Sequence, residues 1–142
     1  MCGIAEFIGN FDESLLSKMG EALRTRGPDN MGVWHGMTES VGFVHTRLSI
    51  IDLSESSNQP MTSACGNLKI VFNGEIFNYR QLKSELEKEG YKFSTLGDTE
   101  VILNMYLKHG IDFLRKLNGI FALAIYDARS RKTFVARDGQ GV

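Results

Sequence analysis

Met1-Cys2-Gly3-Ile4-Ala5 opens the chain, and the place of Cys2 directly behind the start methionine governs how the remaining residues are read. A small side chain in second position favours removal of Met1. Cys2 would then be the first residue, with a thiol and a free α-amine on the same carbon. Nucleophile and base are then neighbours without help from elsewhere in the sequence. An α-amine with an ordinary pKa of about 7.7–8.0 is roughly a tenth or more neutral near pH 7, able to take a thiol proton. The N-terminal amine is a known activator of threonine nucleophiles, and cysteine asks for less because a thiol is the more acidic group. Gly3-Ile4-Ala5 serves equally well as the start of a buried strand, so the rest of the chain has to decide.

The 142 residues suffice for one domain with a real core. Hydrophobic residues at 42% and charged residues at 23% fit a soluble globular protein. A net charge of −1 gives no electrostatic case for nucleic acid or an anionic membrane surface as partner. No apolar run approaches the ~18 residues of a membrane span, and no basic segment leads into an apolar one as in a signal peptide. Cys2 and Cys65 allow one disulfide, but nothing marks a secreted scaffold. A reducing cytoplasm is the expected location, and it keeps a thiol nucleophile intact.

Residues 3–8 read as a short strand. Asp12 is placed to cap a helix whose Leu15, Leu16, Met19, Ala22 and Leu23 recur at helical spacing, with Arg26-Gly27-Pro28-Asp29 as its stop. Met31–His35 and Val41–Thr46 read as a hairpin around Gly36. After the apolar Leu48-Ser49-Ile50-Ile51 the chain is loop-like to Asn67. Leu68–Phe72 is the next strand, ended by Asn73-Gly74. Asn78 and Gln81 have capping-box spacing for a helix with Tyr79, Leu82 and Leu86 on one face and Gly90 as its end. Asp98 caps a third helix with Val101, Ile102, Met105 and Tyr106 inward and Gly110 as its stop, and a short helix follows over Asp112–Leu117. Ile120–Tyr126 is continuously apolar, as in a strand buried on both faces, and Lys132–Ala136 is its partner across a turn. This order of elements, without repeat or linker, predicts an α+β arrangement of two sheets, or one large sheet, covered by helices.

Four further segments bear polar groups at element ends: Arg26-Gly27-Pro28-Asp29, Arg47-Leu48-Ser49-Ile50-Ile51-Asp52, Asn73-Gly74-Glu75-Ile76-Phe77-Asn78 and Asp98-Thr99-Glu100. Each has a plain structural role open to it. A strand-end arginine is usually solvated, Asn-Gly is most often a turn, and Asp98 serves as an N-cap. His45, two residues before Arg47, reads as an inward packing residue. His35 and His109 have no metal-ligand spacing with Cys2 or Cys65, and no metal is expected. Cys65 is taken as incidental.

Taken together and in this order, with Met1-Cys2-Gly3-Ile4-Ala5 ahead of them, these segments resemble the class II glutamine amidotransferases, whose glutaminase domains use an N-terminal nucleophile. The Arg-Gly-Pro-Asp, Arg-Leu-Ser-Ile-Ile-Asp, Gln59-Pro60-Met61 and Asn-Gly-Glu-Ile-Phe-Asn stretches are most similar to glutamine-hydrolysing asparagine synthetase. The resemblance runs from Cys2 to about Asp138 and implies the αββα sandwich of N-terminal-nucleophile hydrolases. It implies that Cys2 attacks the side-chain amide of L-glutamine and forms a thioester, releasing ammonia and then glutamate. Asn73 and the N–H of Gly74 would hold the oxyanion, where one donor typically contributes about 10²–10³ in rate. Arg47 would grip the α-carboxylate with paired hydrogen bonds, Asp98 with Glu75 would pair with the α-ammonium, and the backbone of Leu48, Ser49, Ile50 and Ile51 would line the pocket. No cofactor is implied for this half; ATP and Mg would belong to a synthetase domain, which with an ammonia acceptor is the implied partner.

Two departures from the family pattern stand out. Glu6 occupies a first-strand position where the family commonly has a small residue, and its carboxylate must face water or find a partner. After Ala136-Arg137-Asp138 the family continues with an Arg-aromatic-Gly stretch and a further strand, whereas this sequence reads Gly139-Gln140-Gly141-Val142. Residues 1–142 are therefore expected to form a glutaminase domain incomplete at its C-terminal end, with the synthetase domain absent and an open sheet edge that invites self-association. Alternatives from other classes are a non-catalytic module that binds glutamine or a partner without turnover, and an N-terminal-nucleophile amidohydrolase with another amide substrate.

Overall fold

A computed structural model describes residues 2–36, 40–49 and 55–141. The apolar run over 120–126 lies in β6 (Gly119–Asp127), and its two faces account for the architecture. On one face Phe121, Leu123 and Ile125 cluster with Leu82 and Leu86 of α2 (Tyr79–Lys88) and with Val101, Ile102 and Met105 of α3 (Asp98–His109). On the other, Ala124 and Tyr126 meet Val71 of β5 (Leu68–Ile76) and Val41 and Phe43 of β3 (Val41–Arg47). Trp34 of β2 (Asn30–Gly36) and Ile4 of β1 (Gly3–Ile8) pack against that second cluster. A strand apolar on both sides has to be covered on both, here by helices and by a second sheet.

The sheets are β1-β3-β2 and β4-β5-β6-β7, where β4 is Met61–Thr62 and β7 is Lys132–Arg137. Among the described residues all strand pairs are antiparallel. Helix α1 (Ser14–Leu23) lies on the outer face of the three-stranded sheet with Leu16 fully buried. The layers therefore run helix, sheet, sheet, helices, the expected αββα sandwich. Among the described residues no helix is long and apolar enough to cross a membrane.

Several local expectations need correction. Asn73-Gly74 does not end its strand: β5 continues to Ile76, paired with β6 through Asn73↔Ala122, Gly74↔Phe121 and Ile76↔Gly119. Gly74 has a positive φ of +147°, but it lies inside the ladder and not in a turn. The capping box at Asn78 and Gln81 does not form. The Asn78 side chain donates to the Lys116 carbonyl at 2.9 Å and accepts from the Asn118 N–H at 3.0 Å, while Gln81 donates to Glu85. Asp98 is the first residue of α3, not its cap, which is Gly97. In α1 Ala22 faces solvent, and Gly20 joins Leu16 as a buried position.

Glu6 does not reach bulk water fully. Its half-buried carboxyl lines a cavity between the sheets with Ile4, Val71 and Ala124, and Oε2 has no hydrogen-bond partner among the described residues. Burial raises its pKa above the ordinary carboxylate range.

Candidate active site

Cys2, at the head of β1, lies beside the end of β3, because the register pairs Gly3 with Thr46. The Leu48 N–H donates to its Sγ at 3.3 Å, and Sγ lies 3.8 Å from the Leu48 carbonyl oxygen. The Arg26-Gly27-Pro28-Asp29 turn secures both chains. Arg26 Nε donates to the Cys2 carbonyl at 3.3 Å, the Asp29 N–H to the Arg47 carbonyl at 3.0 Å, and the Ser49 N–H to Asp29 Oδ2 at 2.7 Å. Gly27 lies so close to the Thr46 carbonyl that a Cβ there would overlap it. This segment thus positions the nucleophile strand and the arginine strand together.

Alternation along β3 sends Val41, Phe43, His45 and Arg47 towards the second sheet. Arg47 is 8% exposed, and its Nη1 donates to Asn58 Oδ1 at 2.7 Å, which orients the guanidinium. His45 is 1% exposed, with no hydrogen-bond partner for either ring nitrogen among the described residues. Burial lowers its pKa from the ordinary 6.5 to about 4, opposed by the nearby Phe72 carbonyl and reinforced by the Arg47 charge.

The outer edge of β5 supplies the opposite wall. The Phe72 N–H leaves the β6 ladder to reach Gln59 Oε1 at 2.6 Å, and the Ile76 N–H leaves it to reach Asp98 Oδ2 at 3.0 Å. Backbone amides two apart face the same edge, so the Gly74 N–H between them points the same way. A side chain at Gly74 would overlap the Ile120 carbonyl oxygen and crowd Phe121. Asp98 is 6% exposed. Burial raises its pKa and the Glu75 charge adds to this, while the Ile76 N–H and the first-turn amides of α3 hold it back.

These walls enclose a cavity of about 260 Å³ that Cys2, Arg47, Leu48, Asn73, Gly74, Glu75 and Asp98 line together. That is just below the roughly 300–1,000 Å³ of drug-sized sites and suits a ligand the size of an amino acid. The arrangement sets a thiol, oriented N–H donors, one guanidinium and two carboxylates around one small volume. Ser49 is not part of the lining, and Ile50 and Ile51 lie outside the described residues. His45, Gln59, Met61, Phe72, Thr99 and Ile120 also line the cavity without having been expected there. His45 was legible from its spacing to Arg47, and Gln59 from its conspicuous Gln-Pro-Met stretch. Among the described residues no group of His, Cys, Asp and Glu is arranged to hold a metal, and Cys2 and Cys65 are both free thiols.

The neutral state of His45 has a consequence for stability. Between pH 6.5 and about 4 the unfolded chain takes a proton that the folded one refuses. Its contribution is whole above pH 6.5 and is lost as the pH falls through the folded value of about 4, a loss of about 3 kcal/mol. Asp98 acts in the opposite sense, its burial cost easing as it protonates, so the comparison must be made within one background. Chemical denaturation of His45→Gln is expected to show less loss of stability than the wild type as the pH falls through this window, and an equal change in the two proteins would contradict the assignment.

The sequence model described as a glutamine amidotransferase domain matches residues 1–142. The chain is similar to asparagine synthetase [glutamine-hydrolyzing] 1 of Bacillus subtilis, 40% identical over 152 aligned residues that span all of this chain and 23% of that protein. It is equally similar to asparagine synthetase [glutamine-hydrolyzing] 1 of Saccharomyces cerevisiae, at 40% identity over all of this chain and 25% of that one. The chain thus spans about a quarter of the length of these curated relatives. Its fold matches the B. subtilis glutamine phosphoribosylpyrophosphate amidotransferase structure with a TM-score of 0.78 at 22% identity, over 97% of this chain and 37% of that one.

Proposed function

Because this chain belongs to the glutamine amidotransferase domain family, we propose that it hydrolyses the side-chain amide of L-glutamine through a thioester on Cys2. In this reading Met1 is removed, and the freed α-amine takes the thiol proton, directly or through a water. The sulfur attacks the amide carbon, the C–N bond breaks, and ammonia leaves with the proton the amine returns. Water then cleaves the thioester to glutamate. Negative charge on the former carbonyl oxygen is met by the Asn73 side-chain amide and the Gly74 N–H. At the other end of the substrate Arg47, oriented by Asn58, takes the α-carboxylate. Asp98 and Glu75 take the α-ammonium, a cation that offsets the cost of holding two carboxylates side by side. The steps use side chains, backbone and water only. The ammonia would serve an acceptor bound by a synthetase domain or partner, the class of reaction named for the relatives.

The observation that carries this reading is the convergence of Cys2, Arg47, Asn73, Gly74 and Asp98 on one amino-acid-sized cavity. Steady-state ammonia release from glutamine tests it and separates the roles. Arg47→Lys is expected to raise KM about tenfold or more with little change in kcat, the mark of ground-state binding. Asn73→Ala is expected to lower kcat by about 10²–10³ with KM nearly kept, the mark of a contact made in the transition state. Glutamine binding without release by the wild type would instead favour a non-catalytic glutamine-binding module.

A further inference from the structure

The Gln59-Pro60-Met61 stretch has so far been given no part in the chemistry. Strand β4 pairs Met61 with Ile70, and the same antiparallel register carried two residues further sets Gln59 opposite Phe72. The backbone of Gln59 does not make this pair: its carbonyl lies against Gly32 of β2, so close that a Cβ there would overlap it. The Gln59 side chain takes over. Its Oε1 accepts from the Phe72 N–H at 2.6 Å and its Nε2 donates to the Phe72 carbonyl at 3.2 Å, the two bonds that a neighbouring strand residue would make. Nε2 also lies 3.4 Å from Thr99 Oγ1, beside Asp98 in the first turn of α3. Gln59 is 7% exposed and lines the cavity.

Between Phe72 and Ile76 this edge of β5 bears the Gly74 N–H, and Asn73 lines the cavity beside it. The edge is held at one end by Gln59 and at the other by Asp98. A full strand in place of Gln59 would have covered the edge, whereas a single side chain holds it and leaves Gly74 open to the cavity. Asn58, the preceding residue, holds Arg47. One short segment therefore governs both ends of the proposed substrate.

We propose that Gln59 is a positioning residue for the hydrolysis: acting as a one-residue surrogate strand, it fixes the edge of β5 so that the Asn73 and Gly74 donors face the reacting carbonyl. This rests on the glutaminase reading above. Misplacement of donors by an ångström is enough to cost a large factor in rate.

Two variants test it through ammonia release from glutamine by the full chain. Gln59→Met keeps the volume and removes both bonds, and is expected to lower kcat at least about tenfold with a much smaller change in KM. Gln59→Glu keeps the acceptor for the Phe72 N–H but sets a carboxylate oxygen against the Phe72 carbonyl, a repulsion that protonation relieves. Its kcat relative to wild type is therefore expected to rise as the pH is lowered from 8 to 5. Cys2, His45, Arg47, Glu75 and Asp98 face the same cavity in both proteins and largely cancel in that ratio. A purely structural glutamine would lower the melting temperature without a kcat-selective loss and without a slope in the ratio. Wild-type kcat in Gln59→Met, or a flat ratio in Gln59→Glu should the methionine variant fail to fold, overturns the proposal alone. Absence of ammonia release by the wild type overturns the glutaminase reading and this proposal with it.

Discussion

Cys2→Ala is expected to lower kcat for glutamine hydrolysis by about 10⁴-fold or more, since removal of a covalent nucleophile leaves only binding and oxyanion donors to act. The fold should survive the change. The thiol interacts with the backbone of Leu48 through one long hydrogen bond on each side, at 3.3 and 3.8 Å, and bonds to sulfur are weak. Arg26 grips the Cys2 carbonyl, which alanine retains. Stability should therefore change by no more than about 1 kcal/mol. Glutamine affinity, set at the Arg47 and Asp98 end, should be kept within a few-fold by calorimetry. Ammonia release equal to that of the wild type would remove Cys2 from the chemistry.

Gly74→Ala is expected to damage fold and turnover together. At φ +147° an alanine is strained, and its Cβ would overlap the Ile120 carbonyl oxygen across the β5–β6 ladder. Backbone cannot yield as a side-chain tip can, so a loss of about 3 kcal/mol or more is expected in chemical denaturation. Any shift of β5 that relieves the overlap turns the Gly74 N–H away from the reacting carbonyl. A loss of about 10²–10³ in kcat should then accompany the instability. Gly97→Ala is the matched control on the same cavity. Its φ is −80°, and the nearest atom to a new Cβ is Ser57 Oγ at 3.9 Å, so it should stay near wild type in stability. Wild-type stability in Gly74→Ala would contradict the packing described for this edge.

What could be read in advance was whatever depended on one residue and its near neighbours. The apolar run over 120–126 announced a strand buried on both faces, and the two core clusters on either side of β6 explain why. Gly90 and Gly110 ended helices because their positive φ values suit glycine. Cys2, Arg47, Asn73, Gly74, Glu75 and Asp98 share one cavity as their motif order implied. Features set by pairing between distant segments were not legible. Asn73-Gly74 has the chemistry of a turn, yet the β6 ladder keeps it extended. Asn78 has the chemistry of a cap, yet its amide is taken by Lys116 and Asn118 some forty residues on. Strand β4 is two residues long, too short to show a period, and the surrogate role of Gln59 appears only once β4 and β5 are in register.

Mass spectrometry of the protein quenched in acid while it turns over glutamine tests the central claim most directly. A γ-glutamyl thioester on a peptide that begins at Cys2 is the predicted result. Ammonia release from a chain that keeps Met1 and shows no adduct on Cys2 would contradict it.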